Sequence, residues 1–195
     1  MALKGQLTRT GFIPWDTFQL LLQKLERDGN YKFQLLFAAG TYLGLRIGDL
    51  LRLRWKDILN METLEIIEVK TRKNRRIRLN PELITIINRL HLKMGIADDN
   101  ELLFANKTKR KAMGVQFINR QLKDIAKRYD LPVTKNSFST HTFRKTLGRH
   151  VWSKNGYSEK SLLLLSEIFN HSSTKITKIY LGIKAEELGD IYLNL

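Results

Sequence analysis

His141-Thr-Phe-Arg144 is followed by Asn170-His171-Ser172-Ser173 and then by Tyr180, nine residues beyond His171. Residues three apart share one face of a helix, so His141 and Arg144 can address a single anionic group. A tyrosine one short helix beyond a histidine can reach the same group. That group is most economically a DNA phosphate, with Tyr180 as its attacker. The composition agrees. In a chain of 195 residues, 34 Lys and Arg stand against 19 Asp and Glu, a formal charge of +15. This excess exceeds what solubility requires and has the sign that attracts polyphosphate. There is no cysteine, which excludes a disulfide framework, a thiolate nucleophile and cysteine-ligated zinc, and fits a reducing cytoplasm. The first ten residues lack the apolar core of a secretion signal, and no segment approaches the roughly 18 apolar residues of a membrane span. The protein is therefore expected to be soluble and cytoplasmic, with no membrane partner.

Hydrophobic spacing predicts a mainly α (α+β) fold, with a helical core and one small antiparallel β-hairpin. A first helix enters at Pro14-Trp15, carries Phe18, Leu21, Leu22 and Leu25, and closes at Asp28-Gly29. A second, apolar on most sides, spans Phe33 to Leu43. Gly44-Leu45-Arg46 interrupts it, and helical spacing resumes from Ile47 to Leu53. Strands are expected at Leu64 to Val69 and Arg75 to Leu79, joined by the basic turn Lys70 to Asn74. Asn80-Pro81-Glu82 opens a helix running through Ile84, Ile87 and Leu90 to Gly95. Another, from about Val115 to Tyr129, is expected to turn Phe117, Ile118, Leu122 and Ile125 inward. Ser139 or Thr140 can cap a helix starting near His141, Ser158 one reaching about Phe169, and Ser172 or Ser173 the helix bearing Tyr180. A terminal helix is expected over Lys184 to Asp190. No repeat or linker divides the chain, so residues 1–195 read as one domain.

Taken singly, none of these motifs is specific; their fixed order is. Thr41-Tyr-Leu-Gly-Leu-Arg46-Ile-Gly-Asp49-Leu-Leu-Arg-Leu-Arg-Trp55, a basic hairpin, His141-Thr-Phe-Arg144, and Asn170-His171-Ser-Ser with Tyr180 together resemble the tyrosine recombinase, or phage-type integrase, family from about Pro14 to Leu195. The resemblance implies that Arg46 and Arg144 clamp the scissile phosphate, for which a planar guanidinium fork that never loses its charge is suited. It implies that His171 donates to the same phosphate and that His141 supports the site. Tyr180 becomes the nucleophile of a 3′-phosphotyrosyl intermediate. Lys70, at the start of a Lys-x-x-Lys-x-Arg run, is preferred over Lys73 as the general acid for the leaving 5′ oxygen. Asp49 occupies the family's acidic position, as an orienting rather than reacting group. Asn170 stands where the family prefers Gly, which Asn can replace because it accepts left-handed backbone.

The bond energy would be kept in the protein link, so no cofactor or metal is expected. Arg72, Lys73, Arg75, Lys107, Lys109, Arg110 and Lys111 are expected at the DNA, with Arg120, Lys123 and Lys127 as further backbone contacts. The implied partner is a double-stranded recombination site, held by a tetramer on synapsed DNA, with the chain a monomer alone. The first arginine motif begins near residue 45, so the core-binding and arm-binding domains that precede it in the family are expected to be absent. The chain would then be a catalytic-domain fragment or a short member, binding DNA weakly by itself. Two rivals stand beside this reading, a type IB topoisomerase and a catalytically silent DNA-binding regulator. His141 and the Asn-His-Ser-Ser turn favour the recombinase over the first, and the complete residue set disfavours the second.

Overall fold

Tyr31–Leu43 carries apolar residues on almost every side, and such a segment is stable only when surrounded by protein. In the computed structural model, which describes residues 11–133 and 137–183, this helix (α2) is the central rod of the fold. Around it pack α1 (Trp15–Arg27), α4 (Pro81–Lys93) and α6 (His141–Lys154). The order is completed by α3 (Ile47–Leu50), a 3-10 turn at Trp55–Asp57, β1 (Thr63–Ile67), β2 (Asn74–Arg78), α5 (Val115–Arg128), α7 (Glu159–Phe169) and α8 (Thr174–Leu181). The two strands pair antiparallel with Leu64 opposite Ile77 and Ile66 opposite Arg75. The chain is thus mainly helical with one small hairpin, as its spacing predicts. The helix expected over Lys184 to Asp190 lies outside the described residues.

Start signals act at the positions that the sequence marks. Asn80 Oδ1 accepts from the Glu82 amide with Pro81 at the first helical position. Ser158 caps α7, and Ser173, rather than Ser172, caps α8 by accepting from the Ile176 amide. At α6 the first amide, that of His141, donates to Ser139 Oγ, and Thr140 makes no side-chain cap.

Two expectations need correction. The helix after Arg46 stops at Leu50 instead of running to Leu53, because the Leu53 carbonyl turns away to accept from the Leu103 amide and Arg54 bridges Leu102. On α5, Ile118, Leu122 and Ile125 are buried, but Phe117 is 41% exposed, with the Arg120 guanidinium 5.7 Å from its ring. The buried trio already follows the i, i+4, i+7 stripe, and Phe117 falls beside it.

The apolar interior has two parts. The larger surrounds α2 and takes in Phe18, Phe37, Trp55, Phe104 and Phe143; the smaller joins Trp152, Leu162, Leu165, Phe169 and Leu181. Helix α6 contributes to both. At Gly148 it approaches so closely that a β-carbon would sit 2.5 Å from Leu181 Cδ2 and 3.0 Å from the Phe169 ring. Only glycine lets α8 lie against α6 at this point, and α8 carries Tyr180.

Candidate active site

The site lies at the seam between the two apolar clusters. Helix α2 ends at Gly44 in a left-handed conformation (φ 57), which costs glycine little and frees the chain to turn into Arg46. Arg144, from the first turn of α6, is 4% exposed, and its Nη1 donates to the Gly44 carbonyl at 2.7 Å. Its Nη2 donates to the Phe169 carbonyl at 3.1 Å, and its guanidinium lies 4.7 Å from the Phe169 ring. Arg46 reaches the same carbonyl through Nη2 at 3.2 Å. One backbone oxygen thus gathers both arginines. Burial pushes the Arg144 pKa down, and the neighbouring Tyr180 opposes this; an arginine remains a cation under either influence.

Between the arginines and the hairpin sits a residue that lies outside the family motifs. Glu68, 1% exposed, accepts from Arg46 Nη1 at 2.9 Å, Arg75 Nη1 at 3.3 Å, Thr71 Oγ1 at 2.8 Å and Asn170 Nδ2 at 3.2 Å. Burial alone would raise its pKa. The hydrogen bonds of Thr71 and Asn170, the Arg46 charge and the bond from Arg75 outweigh burial and hold it at about 2. Sequence reasoning missed this residue, although strand alternation carries the signal. Leu64 and Ile66 face inward, so Glu68 falls on that face, and an acid on an apolar face calls for partners.

Asp49 is buried, and its Oδ1 accepts from the Val69 amide at 2.8 Å. It therefore anchors the start of the hairpin turn, immediately before Lys70, rather than contacting Arg46. Lys70 is exposed and makes no hydrogen bond or ion pair among the described residues. Lys73 donates to Asn170 Oδ1 at 3.2 Å. Arg75, expected at the DNA, turns inward to Glu68 and to the Leu43 carbonyl at 3.4 Å. Asn170 is left-handed (φ 53), as Asn permits, and its amide links the hairpin to the turn before His171, which Gly could not do. Glu68, Lys73, Arg75, Asn170 and His171 are among the residues lining an open cleft of about 600 Å³.

His171 Nδ1 lies 3.0 Å from Thr177 Oγ1. Partial burial, then the charges of Arg144 and Arg46, push its pKa down to about 4. Its ring meets that of Tyr180 edge-on at 5.1 Å, and Phe169 packs edge-on against Tyr180 at 5.6 Å. Tyr180 Oη lies 3.5 Å from the His141 carbonyl, at the outer limit of a hydrogen bond. Burial raises the Tyr180 pKa, while the charges of Arg144 and Arg46 and a hydrogen bond with Arg144 pull it back. The His141 side chain opens the same helix turn as Arg144. Desolvation and the charges of Arg144 and Lys145 lower its pKa. Lys145 is buried, with Nζ 5.3 Å from the Tyr180 ring centroid, and burial pushes its pKa to about 8. Arg46, Arg144, His171 and Tyr180 therefore converge, with His141 beside them.

The other basic residues lie on the surface, Arg72 in the hairpin turn between Lys70 and Lys73. Arg72, Lys107, Lys109, Arg110 and Lys111 are exposed, Lys109 pairing with Glu101 at 2.9 Å. Arg120, Lys123 and Lys127 are exposed along α5. Among the described residues no helix is long and apolar enough to cross a membrane.

The pattern common to the phage integrase family matches residues 13–187 of this sequence. The chain belongs to the phage integrase family. It is 35% identical over 165 residues to the probable integrase/recombinase YoeC of Bacillus subtilis (strain 168), covering 85% of this chain and 82% of that protein. It is 26% identical over 180 residues to a tyrosine recombinase of Thermosipho africanus (strain TCF52B), covering 92% of this chain but only 59% of that protein. Among solved structures, the XerA recombinase superposes with a TM-score of 0.69 at 21% identity, covering 94% of this chain and 64% of that one. The lambda integrase catalytic core gives 0.59 at 17% identity, covering 83% and 91%. These likenesses establish the integrase catalytic fold, and family membership places the chain among the DNA breaking-and-rejoining enzymes.

Proposed function

We propose that this phage integrase family chain is the catalytic domain of a site-specific recombinase that cuts and rejoins double-stranded DNA through Tyr180. The observation that carries the reading is the convergence of Arg46 and Arg144 on the Phe169 carbonyl, beside the paired rings of His171 and Tyr180. A tyrosine with a raised pKa is a poor nucleophile and requires a phosphate whose charge is neutralised by its surroundings. The two arginines supply that charge, and His171 adds a donor as the phosphorus becomes five-coordinate. The Tyr180 oxygen bonds to phosphorus as its proton passes to the neighbouring neutral His141, and the bond to the 5′ oxygen breaks. Lys70, on the turn anchored by Asp49, protonates that oxygen, and His141 supports the attacking side. A 5′ hydroxyl from another strand then reverses the reaction.

The lambda integrase and XerH structures similar to this chain are described as bound to a core site and to the difH substrate. By that analogy the substrate is a duplex recombination site; exchange between two such duplexes requires four strands to be cut, and so a tetramer of chains on synapsed DNA. A catalytic domain by itself is expected to bind DNA weakly.

A nicked suicide substrate tests the chemistry. The wild-type chain should form a covalent adduct, Tyr180→Phe should bind without forming it, and Arg144→Ala should lower its rate by about 10²-fold or more. An adduct retained in Tyr180→Phe would refute the assignment. Strand exchange without plasmid relaxation separates a recombinase from a topoisomerase.

A further inference from the structure

We propose that Thr177 is a positioning residue that makes the orientation of His171 depend on the seating of the helix that carries Tyr180. This rests on the reading of His171 as a donor to the scissile phosphate. Thr177 is fully buried, and its hydroxyl lies 3.0 Å from His171 Nδ1, 2.8 Å from Ser166 Oγ and 3.4 Å from the Ser173 carbonyl. Behind it, Ser166 is 5% exposed and lies 2.8 Å from the Leu162 carbonyl. The hydroxyl chain therefore runs from α7 through α8 to the imidazole.

A threonine hydroxyl has one proton to give. Ser166 likewise has one, and its Oγ donates to the Leu162 carbonyl at 2.8 Å, so across the 2.8 Å contact between the two hydroxyls Thr177 is the donor. With its one proton directed to Ser166, Thr177 Oγ1 accepts from His171, which places the proton of the neutral ring on Nδ1. Nε2 is then the nitrogen turned to the anion, and it becomes a donor when a phosphate draws a second proton onto the ring, Nδ1–H remaining held by Thr177. What Nδ1 bonds to sets the function of Nε2.

The placement on α8 adds a second consequence. Thr177 and Tyr180 are three residues apart on one helix and share a face. A displacement of α8 that withdraws the nucleophile also removes the group holding His171. The donor is set only when the attacking tyrosine is in place.

The test uses the full chain carrying Thr177→Val, which keeps the shape and loses the hydroxyl, and Thr177→Ser, which keeps the hydroxyl. Single-turnover cleavage should fall about 10- to 100-fold in the valine variant. It should be largely retained in the serine variant, with DNA affinity unchanged when both changes are made in Tyr180→Phe. Nitrogen-15 NMR of histidine-labelled, DNA-free Tyr180→Phe protein at pH 7 should find His171 as a single neutral form protonated at Nδ1, and Thr177→Val should lose that single form. Full-rate cleavage by Thr177→Val overturns the proposal, as does slow cleavage with an unchanged His171 signal. If His171→Ala cleaves normally, the donor reading fails separately; the NMR comparison still decides whether Thr177 fixes the ring.

Discussion

Replacing Glu68 by Gln removes one charge from the centre of the site and changes almost nothing in volume. The magnitude follows from the carboxylate's surroundings. Its pKa is held at about 2 against an ordinary 4.5, and its side chain is 2% exposed, so solvent screens little of the effect. At about 1.4 kcal/mol per pH unit, this corresponds to roughly 3 kcal/mol of folding stability at pH 7. The sign is fixed by proton binding. The folded protein holds this proton less tightly than the unfolded chain, so the contribution is fully present above pH 4.5 and is lost as pH falls toward 2. The substituted amide also turns a donor toward groups that themselves donate, namely Arg46, Arg75, Thr71 and Asn170. Urea unfolding followed by tryptophan fluorescence, with wild type and Glu68→Gln in parallel, cancels the titration of all other acids. The stability difference should be roughly 3 kcal/mol at pH 7 and about half that by pH 3. A difference equal at both pH values, or none at pH 7, would refute the account of Glu68 as the counter-charge of Arg46 and Arg75.

Gly148→Ala drives a β-carbon into Leu181 and Phe169 and should destabilise the fold by about 1–3 kcal/mol in urea, with slower cleavage as α8 is pushed off its seat. An NMR titration of the DNA-free protein should find His171 protonating near pH 4; a midpoint above pH 6 would contradict the influence ascribed to burial, Arg144 and Arg46. If about six phosphates are contacted, the logarithm of DNA affinity should fall against the logarithm of salt with a slope of roughly −5. Combined replacement of Lys107, Arg110 and Lys111 should flatten that slope if those exposed side chains make the contacts.

The part of the site legible in the sequence is the part specified by residue type and spacing. Arg144 stands in the first turn of α6, His171 in the turn before α8 and Tyr180 nine residues later on α8, and Gly44 marks the break that delivers Arg46. Less legible is what depends on a face rather than a motif. Glu68 ends an apolar strand, where its charge suggests solvent, yet alternation sends the exposed Ile67 outward and Glu68 in. Phe117 misleads for the converse reason, since its hydrophobicity points inward while the stripe is already filled by its neighbours. Asn170 is legible for its backbone conformation alone, and its side-chain amide joins Glu68 and Lys73. The stop of α3 at Leu50 depends on pairing with Leu103, far away in sequence, which local periodicity cannot register.

The shared acceptor of Arg46 and Arg144 is the last carbonyl of α7, at the end of a helix where oxygens lack intrahelical partners and the backbone dipoles sum to a partial negative charge. Two cations that would otherwise repel each other are thus held at the negative pole of a helix before any DNA arrives. In the proposed reaction an incoming phosphate would replace this partly negative oxygen by a full anion, with the cost of bringing two guanidiniums together already borne in folding rather than at the moment of binding.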